Sequence, residues 1–155
     1  MVPRARDTTA LNAVEARLSG DLLALNRLIM TFLNKRMPVV DFTVGRDAGG
    51  MRVTILLDCS PESARRYVAL LSSLEDVEGI ELAAEVVEVA LLERGGDGWF
   101  DSALRAGISA HEVIGGTLVA AGEPDKLEAW LAALGDDVAD IVRLGPVARP
   151  GDGGE

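Results

Sequence analysis

Two alternating apolar runs around one glycine turn, with a helical run on either side, restrict the possible folds more than any other feature of the chain. Val39 to Val44 places Val40, Phe42 and Val44 on one side and Asp41 and Thr43 on the other. Met51 to Asp58 repeats the alternation, with Met51, Val53, Ile55 and Leu57 inward and Arg52, Thr54 and Asp58 outward. Arg46-Asp47-Ala48-Gly49-Gly50 between them is a turn, so the pair reads as a hairpin. Upstream, Leu22 to Lys35 carries Leu25, Leu28, Ile29 and Phe32 as one apolar stripe of a helix, which Pro38 stops. Downstream, Ser60-Pro61-Glu62 supplies an N-cap, a proline at the first helical position and an acid in the first turn. Ala64, Tyr67, Val68, Leu71 and Leu74 follow as the stripe of a second helix. A strand at Thr9 to Leu18, with Val14, Ala16 and Leu18 on one face, opens the series, and Ile80 to Ala83 closes it. The order β-α-β-β-α-β predicts two helices on one face of a four-stranded antiparallel sheet.

The same order recurs more weakly. Val86 to Leu92 reads as a strand, Gly95 to Gly98 as a loop and Trp99 to Ala106 as a short helix. Glu112 to Ile114 and Thr117 to Ala121 read as strands joined by Gly115-Gly116. Pro124 opens a helix with Leu127, Trp130, Leu131 and Leu134 at i, i+3, i+4 and i+7, which Gly135 ends. Ala139 to Leu144 is the last strand, stopped by Gly145-Pro146. The fold class is therefore α+β, two tandem ferredoxin-like units at residues 1–84 and 85–148. A polar tail, 149–155, is expected to be disordered.

Of the 155 residues 48% are apolar but only 4% aromatic, so Ala, Val and Leu must build the cores from many small contacts. Units this small and this poor in large side chains point to association with a neighbour. The formal charge of −10 argues against a nucleic-acid backbone or an anionic membrane as partner. No apolar run is long enough to span a bilayer, and no apolar segment follows the charged start Met1 to Asp7 as in a secretory signal. Cys59 is the one cysteine, which excludes an intrachain disulfide. A cytoplasmic protein is the resulting expectation.

Chemistry-bearing constellations are scarce. His111 is the single histidine, placed at the expected entrance of a strand, with no nucleophile-and-orienter set around it in the sequence. One His and one Cys do not make a zinc site, and neither cation-loop nor zinc-protease spacing is present. Glu62, Glu75-Asp76 and Asp136-Asp137 fall at helix ends and turns, where solvation and capping account for them. The glycine clusters lack phosphate-loop spacing. The weight shifts to binding, with Ser19-Gly20-Asp21 before the first helix as the place where a carboxylate ligand could meet backbone N–H groups, or where those residues simply cap the helix.

Several segments together resemble the small regulatory subunits of acetolactate synthase. Leu25-Asn26-Arg27-Leu28-Ile29-Met30-Thr31-Phe32 followed by Asp41-Phe42-Thr43-Val44-Gly45 is similar to that family's ACT domain, L-x-R-V-x-x-L-F and then x-N-I-x-S-L-T-V. Met51 to Ile55 is similar to its R-M-T-I strand, and Leu74-Glu75-Asp76-Val77 to Leu82 to its L-x-D-V…EL ending. In the second half, Ala121 to Leu131 resembles x-x-G-T-x-x-K-L-D-A-F-L, and Ile141-Val142-Arg143-Leu144-Gly145 the final E-V-x-R-x-G strand. The resemblance covers about residues 9–148.

It implies a first unit that is an ACT domain, homodimerisation through that domain, and binding to a catalytic large subunit. It implies no cofactor in this chain: thiamine diphosphate, Mg and FAD belong to the catalytic partner. It also implies a branched-chain amino acid effector at the ACT dimer interface, between the loop after the first strand of one chain and the entrance of the second strand of the other. The candidate effector residues are Ser19, Gly20, Asp21, Leu22, Leu23, Ala24, Pro38 and Val39.

This stretch departs from the family pattern E-N-x-[PS]-G-x-L-x-R. Anchored without gaps on Leu25 and Arg27, Ser19 replaces the Glu, Gly20 the Asn and Leu23 the Gly, while Pro38 replaces the Asn of the N-I pair. With a three-residue insertion, Ser19-Gly20 matches the [PS]-G pair, Arg17 and Leu18 replace the Glu and Asn, and Pro38 still stands. One lost buried polar contact costs on the order of 1–3 kcal/mol, and two lost together weaken an effector about a hundredfold. The expectation is an activating subunit with weak or lost valine feedback. Its rivals are a stand-alone small-molecule sensor and a structural scaffold of another enzyme.

Overall fold

The computed structural model describes residues 11–93, 98–113, 115–135 and 140–149. Contacts divide the chain into two units, the first ending at Glu85 and the second comprising Val86–Val147, with Ala148 and Arg149 grouped with the first.

The first unit runs β1 (Leu11–Ser19), α1 (Leu22–Asn34), β2 (Val39–Asp47), β3 (Gly50–Asp58), α2 (Pro61–Ser72) and β4 (Val77–Leu82). Its sheet is antiparallel with order β2-β3-β1-β4, so the hairpin partner β3 and the first strand β1 are central. The alternation of β3 holds: Val53, Ile55 and Leu57 are fully buried beneath the helices. Val14, Leu18, Leu28, Phe32 and Leu71 complete that core. Ser60 caps α2 as its composition requires, its Oγ accepting from the Ser63 N–H at 3.2 Å, with Pro61 in the first turn.

Three details differ from the sequence reading. The register between β2 and β3 shifts between Val39 and Asp41, so Val39, not Val40, packs on the core; the extra residue of a bulge reverses the alternation at the strand entrance. β4 begins three residues early because Val77 already pairs with Leu18 of β1. The outward face of β1 and β3 is also buried at Glu15, Thr54 and Leu56. There Glu15 accepts from Arg52 on the neighbouring strand, and Thr54 Oγ1 accepts the Ala148 N–H at 2.8 Å.

The second unit runs β5 (Val86–Leu92), α3 (Trp99–Arg105), β6 (Ser109–Glu112), β7 (Leu118–Gly122), α4 (Pro124–Leu134) and β8 (Ile141–Ala148), the last residue falling with the first unit by contacts. Its sheet order, β6-β7-β5-β8, repeats that of the first. Ala90, Leu92, Leu118, Ala120, Leu127 and Trp130 form its core. The indole N–H of Trp130 donates to Ser102 Oγ at 2.9 Å, tying α4 to α3.

Two expectations are overturned here. The strand expected at Glu112 to Ile114 lies instead at Ser109–Glu112, because Ile108 is buried and Ser109 to Glu112 pair with Ala121 to Leu118. The last strand does not stop at Gly145-Pro146 but continues to Ala148. It is an edge strand, where a residue without an N–H is tolerated. Thr9, Gly95 to Asp97, Ile114, Asp136, Asp137, Ala139 and the tail from Pro150 lie outside the described residues. Arg149, assigned to that tail from the sequence, donates its N–H to the Glu85 carbonyl at 3.0 Å.

Candidate functional site

The segment Ser19 to Ala24 turns the chain from β1 into α1. Ser19 closes β1 by donating both its N–H (2.9 Å) and its Oγ–H (3.3 Å) to the Asp76 carbonyl just before β4. Gly20 has φ +99°, the left-handed region that favours glycine. Asp21 is the helix N-cap, its Oδ1 accepting from the Leu23 N–H at 3.0 Å. Leu22 and Leu23 are exposed at 76% and 53%, whereas Ala24 is buried. The capping role considered for these residues from the sequence is therefore present, carried by Asp21.

Pro38 and Val39 stand elsewhere. Asp58 N–H donates to the Pro38 carbonyl at 2.9 Å, and Val39 starts β2 opposite Leu57. Ser19 pairs with Gly50, at the other end of β3. The two halves of the candidate set are thus seven residues apart along one strand, roughly 23 Å, and one chain does not bring them together.

Beside the loop the structure forms a feature that the sequence reading missed. Leu18, Ala24, Leu28, Leu74 and Val77 line an open crevice of about 100 Å³ between α1 and the turn from α2 to β4. Arg27 and Asp76 stand at its mouth, Arg27 Nη1 donating to both Asp76 oxygens at 2.9 and 3.2 Å. The bond to Asp76, together with its charge and those of Glu75 and Asp21, raises the already high pKa of the Arg27 guanidinium. Arg27 lies off the apolar stripe of α1, which is a signal in itself. Its acidic partner, however, is 49 residues away and becomes a neighbour only once β4 pairs with β1.

The remaining candidates from the sequence stay apart from this region. His111 is exposed on β6. Cys59 is half-buried, and burial, with Asp58 beside it, pushes its thiol pKa upward. Among the described residues no group of three His, Cys, Asp or Glu could hold a metal ion, and no helix is long and apolar enough to cross a membrane.

No protein-family model matches this sequence, and no curated protein matches it. Among solved structures, the acetolactate synthase small subunit from Thermotoga maritima superposes with a TM-score of 0.71 at 18% identity, covering 90% of this chain and 96% of that one. An unknown protein from Galdieria sulphuraria matches at a TM-score of 0.38 and 15% identity, covering 89% and 99%, too loosely to bear an argument. At 18% identity the likeness to the small subunit is one of fold.

Proposed function

We propose that this chain is a non-catalytic regulatory subunit that activates an acetolactate synthase catalytic subunit, with weak or absent valine feedback. The observation that carries the reading is the fold match running through both units, 90% of this chain against 96% of the small subunit. The order of family-like segments read from the sequence agrees with it. In this reading thiamine diphosphate, Mg and FAD reside in the catalytic partner, and this chain dimerises through its first unit, an ACT domain. The exposed Leu22, Met30 and Leu33 along α1, beside the edge strand β2, are apolar surface suited to such an association.

Loss of feedback follows from the loop. Asp21 already accepts the N–H group at the start of α1 and sets a negative charge where an effector carboxylate would approach. Leu22 and Leu23 offer no hydrogen-bonding side chain, and neither does Pro38. The same features favour a structural scaffold as the second reading over a sensor working through that loop.

Acetolactate formation by the cognate catalytic subunit, measured with and without this protein and with valine titrated in, tests the proposal. Activation that persists through micromolar valine is expected. Activation abolished by micromolar valine would overturn the lost-feedback part, and absence of both activation and co-elution would overturn the subunit assignment.

A further inference from the structure

We propose that the outward face of the first unit's sheet binds a phosphate monoester, seated on Arg17 and Arg52 in a trough whose two ends are bare glycine. The site lies on the opposite face of the sheet from the helices and their loops, and it requires no catalytic partner.

Strand register places four residues in one row across the sheet. Gly45 of β2 faces Arg52 of β3, Arg52 faces Arg17 of β1, and Arg17 faces Gly79 of β4. Ala16, Leu18 and Val53, the next residues along, are buried in the core, so this row points away from the helices. Neighbouring strands lie about 4.8 Å apart, and the row therefore runs about 14 Å with side chains only at its centre. Like charges directly opposite each other destabilise a strand pair, yet two guanidinium groups stand opposite each other on the two central strands. No backbone strain demands glycine at Gly45, where an added methyl would meet only the Arg52 carbonyl oxygen at 3.9 Å. Such a glycine within a strand marks a place where another group comes close to the backbone. At Gly79 that group is present: an added methyl would stand 3.2 Å from Arg17 Nη2, so the guanidinium lies over bare backbone.

Arg52 donates Nε and Nη2 to the buried Glu15, which fixes its fork, and among the described residues its Nη1 stays unengaged. Arg17 is exposed, and among the described residues it makes no hydrogen bond or ion pair. One fixed and one free cation thus stand side by side on the sheet surface. A phosphate monoester brings close to two negative charges and three acceptor oxygens, enough to bond both guanidinium groups and relieve their repulsion. A carboxylate, with one charge and two oxygens, satisfies a single fork. The bare ends at Gly45 and Gly79 leave room for the ester group. Asp47, 4.0 Å from Arg52 Nε, and the exposed Glu81, two residues along β4 from Gly79, oppose an anion. Affinity is therefore set at about 1–10 mM at low salt and weakens as salt rises.

An NMR titration of the full chain with methyl phosphate, inorganic phosphate and acetate, at about pH 7.5, tests the site. Methyl phosphate is expected to shift the Gly45 and Gly79 amides and the Arg17 and Arg52 Nε–H signals saturably. Inorganic phosphate should match it within about threefold, and acetate should bind about tenfold more weakly. Arg17→Gln, which breaks no bond among the described residues, should weaken methyl phosphate about tenfold. Glu81→Gln should tighten it about two- to threefold by removing an opposing charge. No saturation by about 50 mM methyl phosphate would overturn the site, as would an unchanged affinity in Arg17→Gln. Acetate binding as tightly as methyl phosphate would overturn the two-arginine arrangement, and binding of inorganic phosphate alone would overturn the monoester as ligand. Every readout uses this chain by itself, so a negative result is separate from a failure to activate a synthase.

Discussion

A methyl group on Gly50 would stand 2.1 Å from the Leu18 carbonyl oxygen, whereas one on Gly49, the preceding residue, would meet nothing within 4 Å. Gly50→Ala must therefore push β3 away from β1 and is expected to cost roughly 2–4 kcal/mol, with Gly49→Ala within about 0.5 kcal/mol of wild type in urea denaturation. In the sequence the two glycines are equivalent members of one turn; the approach of a strand distant in sequence separates them. Cys59 behaves similarly. Burial raises its thiol pKa, so the protonated form is favoured in the folded chain. Its contribution to stability is full below the ordinary thiol range and is lost as pH rises through the raised value. Alkylation at pH 8 should be slower than for a free thiol and should speed up on unfolding, as a timed thiol-labelling assay would show.

Helix ends were the most legible elements, since a cap is a local contact. Ser60-Pro61 marks the start of α2 where the sequence places it, and Asp21→Ala should cost about 1 kcal/mol in the same denaturation assay by freeing the Leu23 N–H. Ser102→Ala leaves the Trp130 indole N–H without its acceptor and should cost about 1–2 kcal/mol, read by the shift of the tryptophan fluorescence transition. Strands of strong alternation such as β3 were equally plain. β6 was not, because Ser109-Ala110-His111-Glu112 has no apolar rhythm of its own and takes its place from the ladder with β7. β8 was cut short for the opposite reason: Gly145-Pro146 carries a strong local stop, and an edge position lets the strand pass through it.

Across the whole molecule the cores rest on small side chains, so losses of single leucines weigh heavily. Leu28→Ala, at a site 1% exposed, should lower stability by roughly 2–5 kcal/mol, while Leu104→Ala, at a site 77% exposed, should stay within about 0.5 kcal/mol, both from urea midpoints. The repeat of β-α-β-β-α-β was readable because period and turn chemistry are carried by neighbours along the chain. Of the candidate site, the sequence supplied the loop Ser19 to Ala24 and the entrance Pro38-Val39. Their placement at opposite ends of β3 follows from strand register. By itself the sequence determined the order of elements, the Ser60–Pro61 cap of α2 and the inward face of β3, all of which depend on contacts within a few residues. Only the tertiary structure decided that Arg27 meets Asp76 above an apolar crevice and that Glu15 is buried against Arg52. Those partners lie 49 and 37 residues apart, and closing such distances requires the sheet to be paired first.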